Sequence, residues 1–180
     1  IDQGRSMGNN RNYTIETQAD IIELVLNNQN IDSAHIVGMS YGGKVAITFT
    51  LKYMKRVKSL VVVNSDAYTT DISKDLGELW VKAAATLDGE YFSSVLLPKM
   101  YSLDYCKNNP NKIKEKVRYF NDNLSFEWYE RFKRIIFSSR SYNVTDSIHK
   151  INVPTIVITS DEDNVISKET QETIHRMIKG

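Results

Sequence analysis

The residues with the clearest capacity for chemistry are Gly38-Met39-Ser40-Tyr41-Gly42, a serine spaced between glycines as G-x-S-x-G. A serine at a very tight strand-to-helix turn is forced into a strained backbone conformation, and the flanking glycines, Gly38 and Gly42, remove side chains that would collide there. Its hydroxyl then projects at the start of a helix, where backbone N–H groups favour a developing oxyanion. The chemistry implied is attack by Ser40 on a carbonyl carbon, with the backbone N–H of Tyr41 as an oxyanion-hole donor. A chance Gly-Ser-Gly loop is the plain alternative. The elements around the motif decide between the two.

Those elements fit the first reading. Ile36-Val37, flanked by Ala34 and Met39, is too short for a helix and branched enough for a buried strand ending at Gly38. Gly42 and Gly43 open a helix with Val45, Ala46, Phe49 and Tyr53 on one face, and Lys52, Lys55 and Arg56 crowd its end, where cations suit the helix dipole. Leu60-Val61-Val62-Val63 gives a second apolar strand, closed by Asn64-Ser65-Asp66. Strand, helix, strand with apolar strands predicts a parallel sheet buried on both faces. Upstream, Thr14 caps a helix reaching about Asn28. Downstream, Pro154 precedes a third strand, Thr155-Ile156-Val157-Ile158-Thr159, then the polar turn Ser160-Asp161-Glu162-Asp163 and a last helix capped by Ser167. Residues 67–149 differ: helical patches at 76–85, 91–105, 112–120 and 126–137, most of the aromatics, and a break at Pro110. The predicted organisation is an α/β core, 1–66 and 150–180, interrupted by a helical insertion, 67–149.

Composition bounds the partners. With 41% apolar and 25% charged residues the chain is neither disordered nor a coiled coil. Lys plus Arg number 23 against 22 Asp plus Glu, so no general charge favours nucleic acid or an anionic membrane. No apolar run reaches the eighteen or so residues of a spanning helix. Cys106 stands alone, without a disulfide or metal-cluster partner, which weakly favours a reducing, cytoplasmic setting. The chain opens at Ile1 with no methionine and no signal-like segment, so the true N-terminus is expected upstream.

The strand–elbow–helix unit resembles the α/β-hydrolase superfamily, specifically its lid-bearing serine hydrolases: carboxylesterases, enol-lactonases, C–C bond hydrolases and acyl thioesterases. The resemblance runs through the whole chain. Asp2-Gln3-Gly4-Arg5-Ser6 is similar to the family's Gly-x-Ser turn, although many members have glycine where Asp2 stands. Tyr13-Thr14-Ile15-Glu16 resembles the start of the next family helix, and Val153-Pro154-Thr155 resembles its strand entry. The resemblance implies a mostly parallel sheet with flanking helices, a helical lid, a Ser–acid–His triad and no cofactor or metal. It places the triad acid at Asp163, with Asp66 and Asp161 as competitors. Each of the three also fits a solvated loop acid or a helix cap. The acid's task is to fix the imidazole tautomer and stabilise its charged form.

The family order is serine, acid, histidine. His35 precedes Ser40, His149 precedes Asp163, and His175 follows the acid at a spacing that puts it inside the next helix. All three read as surface or packing histidines. The base, the second oxyanion donor, the first strands and the last strand are therefore expected outside this chain. An internal piece of that kind leaves the elbow strand with an unpaired edge, so the 180 residues alone are expected to be unstable or aggregation-prone. The implied reaction is hydrolysis of a small, apolar carboxylic ester, thioester or lactone. C–C bond cleavage or acyl transfer would use the same triad, and a silent ligand sensor on the same fold is the reading from another class.

Overall fold

The structure is a computed structural model and describes residues 1–6, 8 and 11–179. Its elements run α1 (Ile15–Asn28), β1 (Ala34–Met39), α2 (Tyr41–Lys52), β2 (Val57–Val63), α3 (Asp71–Ala85), α4 (Gly89–Met100), α5 (Leu103–Asn108), α6 (Pro110–Asn123), α7 (Phe126–Ser138), β3 (Thr155–Ile158) and α8 (Lys168–Met177). They form two compact units. One comprises Tyr13–Thr69, Ser138–Asp161 and the chain from Ile166 onward; the other comprises Ile1–Asn12, Thr70–Phe137 and Glu162–Val165.

The first unit holds the sheet. Among the described residues it has three strands in the order β1-β2-β3, all parallel, with Gly38 beside Val62 and Val63 beside Ile158. This is the parallel α/β core expected from the strand and helix pattern. The period-two alternation of the strands decides which side chains meet the helices. Leu60 and Val62 of β2 are fully buried and pack with Ala46 and Ile47 of α2, Ile174 of α8 and the turn residues Ile148 and Ile151. Ala19 and Leu26 of α1 join Phe49 and Val57 in a second cluster.

The opposite sheet face departs from expectation. Val37 is 69% exposed and Met39 68%, and Ile156 and Ile158 are also open to solvent. All-apolar strands predict a sheet covered on both sides; in the described residues of this unit α1, α2 and α8 pack on one side only. β1 also forms one edge of the sheet.

Caps set most helix starts. Thr14 accepts from Thr17 N–H and closes a capping box with the Thr17 side chain, and Ser167 accepts from Thr170 N–H to start α8. Thr70 does the same for α3, which therefore begins five residues before its apolar stretch. Two sequence expectations shift here. The patch at 91–105 is two helices, α4 and α5, because Ser102 caps a new start. Pro110 opens α6 at its first turn, where a missing N–H costs nothing.

The helical unit has its own aromatic centre. Phe92 is fully buried and meets Tyr129 at 5.4 Å and Phe132 at 5.1 Å, both edge-on, while Trp128 stacks on Phe132 at 5.4 Å. Edge-to-face pairs of this kind add about 0.5–1.5 kcal/mol each beyond area burial. In the same unit the carboxylate of Asp2, at φ 61°, accepts from Nε and a terminal nitrogen of Arg134 at 2.7 and 3.1 Å. No described helix is long and apolar enough to cross a membrane.

Candidate active site

Ser40 sits between β1 and α2, exposed, with φ 52° and ψ −120°. That conformation is sterically poor for a residue with a Cβ. Other hydroxyl residues at helix N-caps behave differently, among them Thr14, Thr70, Ser102 and Ser167. Each has negative φ, and each side chain accepts a bond from its helix's first turn. Ser40 occupies the same position and makes no capping bond. The hydroxyl takes no part in helix initiation.

The turn is held from several directions. Ser40 N–H donates to Val63 O at 2.9 Å, and its own carbonyl accepts from Gly43 N–H at 2.8 Å and from the Ser65 hydroxyl at 2.9 Å. Two glycines make this possible. A Cβ on Gly38 would lie 2.2 Å from Gly42 O, and one on Gly43 would lie 2.4 Å from Ser65 Cβ. Gly42 meets nothing within 4 Å. The steric role expected of both motif glycines thus belongs to Gly38 and Gly43. Gly42 faces open space.

Behind the elbow lies a buried polar cluster. Lys44 Nζ pairs with Asp66 Oδ1 at 3.0 Å, donates to Thr69 Oγ1 at 2.7 Å, and lies 5.3 Å from the centre of the Tyr142 ring. The Thr69 hydroxyl donates a hydrogen bond to Ser139 O at 2.7 Å, and the Tyr41 and Ser138 hydroxyls share a bond of 2.8 Å. Burial lowers the Lys44 ammonium below its ordinary range, while the charge and hydrogen bond of Asp66 support it. Burial, with the Asp66 charge added and Glu16 contributing, pushes the Tyr142 phenol well above its usual range; the Thr48 hydroxyl opposes this.

The Tyr142 shift has a sign that can be checked. An unfolded tyrosine loses its proton near pH 10 while the folded one keeps it, so the native state holds more protons above that pH. The stabilisation is complete below pH 10 and falls as pH rises, by about 1.4 kcal/mol per pH unit. Lys44 acts in the opposite sense, and its contribution ends near its ordinary value of 10.5. Urea unfolding of wild type and Tyr142→Phe between pH 10.5 and 12 should show the wild type losing stability more steeply by that slope. Parallel curves would contradict the buried, protonated phenol.

The competing acids are placed differently. Asp163, half-buried, accepts from Val165 N–H at 2.8 Å in the turn after β3. Asp161 is exposed, and Lys168 holds its carboxyl below the ordinary value. Asp66 is fully buried and directed at Lys44. His35 is exposed at the start of β1, its Nδ1 2.7 Å from Ser59 Oγ, and about 13 Å of strand separates it from Met39. His149 is exposed in a turn, and His175 is exposed in the last turn of α8. Among the described residues no group of His, Cys, Asp or Glu is placed to hold a metal ion.

A family profile described as serine aminopeptidase, S33 matches residues 3–180. The chain belongs to that family. Among curated S33-like relatives it is 23% identical to a proline iminopeptidase of Flavobacterium johnsoniae over 93% of this chain and 63% of that protein. It is 26% identical to Lipase 3 of a Moraxella species over 92% of this chain and 53% of the lipase. The chain thus spans between about half and two thirds of the length of these two relatives. Among solved structures it superposes with TM-score 0.93 on MGS-M2, an α/β-hydrolase enzyme from a Medee basin deep-sea metagenome library, at 27% identity, covering 99% of this chain and 65% of that one. An enol-lactonase of Burkholderia xenovorans superposes with TM-score 0.86 at 18% identity, over 99% of this chain and 66% of that one, which shows the shared fold. This S33 chain is therefore an α/β-hydrolase, and its curated relatives include lipases and iminopeptidases.

The bonds that hold Ser40 in this turn are not visible in the sequence. Gly43 was visible as the second glycine of a pair, but Ser65 lies 25 residues from Ser40, and nothing in its neighbourhood announces a bond to the Ser40 carbonyl.

Proposed function

We propose that this chain carries the nucleophile of a serine hydrolase that cleaves a small carboxylic ester, thioester or lactone through an acyl-enzyme on Ser40. The observation that carries this reading is an exposed serine at φ 52° that forgoes capping α2. Esterase and lipase relatives support the ester class. Ser40 Oγ attacks the carbonyl carbon, a histidine takes its proton, and the alkoxide leaves with that proton. Water then attacks the acyl carbon and restores Ser40. The Tyr41 N–H, at the positive end of α2, is one donor to the tetrahedral oxyanion. Asp163 is assigned the orienting acid from its place in the turn after β3, where the family resemblance puts that acid; Asp66 pairs with Lys44 and Asp161 with Lys168. None of His35, His149 and His175 follows Asp163 in a loop, so the base is assigned to a histidine beyond these residues. The helical insertion, 67–149, is assigned the lid, on its helical, aromatic-rich character and its place between β2 and β3. A non-catalytic sensor is disfavoured, since strain at one hydroxyl serves no purpose in mere ligand binding.

Hydrolysis of an N-terminal peptide bond is the second reading, favoured by the family description and by the iminopeptidase relatives. The two share the triad and differ in leaving group. Full-length protein offered p-nitrophenyl butyrate and prolyl-β-naphthylamide should turn over the ester at least 100-fold faster by kcat/KM. The reverse preference would replace the ester reading with the peptidase one.

A further inference from the structure

Lys44 is oddly placed. It is a cation in the first turns of α2, where the helix dipole is positive, and it is buried, where an ammonium is costly unless paired. Its side-chain partners lie on the loop after β2 and at Tyr142. Asp66 Oδ1 is 3.0 Å away, Thr69 Oγ1 is 2.7 Å away, and the Tyr142 ring lies beneath. Asp66 directly follows Ser65, the residue whose hydroxyl donates to the Ser40 carbonyl and whose Cβ fills the space that Gly43 leaves. Two consecutive residues of one loop therefore grip α2 at two points. Ser65 holds the carbonyl of the strained residue, and Asp66 holds the side chain four positions later.

We propose that Lys44 and Asp66 are positioning residues for the nucleophile: their ion pair fixes the loop after β2 against α2, so that Ser65 keeps its hydrogen bond to the Ser40 carbonyl and Ser40 stays in its strained, outward conformation. This rests on Ser40 being the nucleophile. Without Ser65 at that distance, the Ser40 peptide is free to relax toward the negative-φ, side-chain-capping geometry that Thr14, Thr70, Ser102 and Ser167 adopt. In that geometry the hydroxyl bonds to the helix and attacks poorly. Displacements well under 1 Å suffice for such a loss, because reactivity depends steeply on the alignment of the attacking atom.

The test compares full-length wild type with Ser65→Ala and with the double variant Lys44→Met, Asp66→Leu, which replaces the pair by apolar groups of similar size and avoids a lone buried charge. The readouts are the second-order rate of fluorophosphonate labelling, kcat and KM for p-nitrophenyl butyrate, and the midpoint of urea unfolding. Both variants are expected to label and turn over at least tenfold more slowly, with KM within twofold of wild type. The double variant should also keep a wild-type urea midpoint. A merely structural pair would give the opposite pattern, with the rate recovering wherever the midpoint does. Wild-type labelling rates in Ser65→Ala, or in a stably folded double variant, would overturn the positioning role while leaving Ser40 as the nucleophile. If wild type itself does not label, the nucleophile reading fails, and the positioning role fails with it.

Discussion

Ser40→Ala should lower kcat/KM by about 10⁴-fold or more, the scale seen when a hydrolase loses its nucleophile. Stability should move by only about 0.5 kcal/mol, because the side chain is exposed and caps nothing. Ser40→Gly sharpens the expectation. It is equally inactive, yet it removes the Cβ that makes φ 52° unfavourable. Relief of about 1–2 kcal/mol outweighs or balances the roughly 0.5–1 kcal/mol of backbone entropy that glycine costs. The glycine variant should therefore be as stable as wild type or more so in urea unfolding. A dead enzyme that is no less stable is the signature of strain stored for function. Loss of stability in Ser40→Gly would mean that the positive φ carries no strain.

The glycines around Ser40 should separate by packing rather than by motif. Gly38→Ala places a Cβ 2.2 Å from Gly42 O, 2.6 Å from Gly42 C and 2.7 Å from Ala46 Cβ. Two of those atoms are backbone of α2, so neither a rotamer change nor a small side-chain shift removes the clash. β1 and α2 must separate, at a cost of about 3 kcal/mol or more, and Ser40 moves with them. Gly42→Ala meets nothing within 4 Å and lies within α2, where alanine is the better helix former by up to about 1 kcal/mol. Its stability should match or slightly exceed that of wild type. Equilibrium unfolding of the pair checks both expectations at once, and equal losses in the two variants would refute the packing description.

Local signals carried much of this structure. The caps at Thr14 and Ser167 and the apolar strands before Ser40 and after Pro154 are short-range features, and each is found where its residues put it. The elbow was legible because a tight strand-to-helix turn demands small residues at fixed spacing. The α4–α5 division was not, since apolar periodicity runs through Tyr101 and only the Ser102 hydroxyl interrupts it. Burial of both sheet faces was read from strand composition, but composition cannot say which helices cover a face, and Val37, Met39, Ile156 and Ile158 remain exposed. The support of Ser40 by Ser65 and of Lys44 by Asp66 joins positions more than 20 residues apart. No periodicity or spacing encodes such pairs. Asp66 reads in the sequence as a competing triad acid, a solvated loop acid or a cap, and its pairing with Lys44 of α2 is none of these.

One experiment bears on the whole proposal. Full-length protein is reacted with a fluorophosphonate, digested, and the modified peptide sequenced by mass spectrometry. A single adduct on Ser40, lost after heat denaturation and absent from Ser40→Ala, is the expected result. An adduct on another serine, or none on native protein with a cooperative unfolding transition, would rule Ser40 out as the nucleophile.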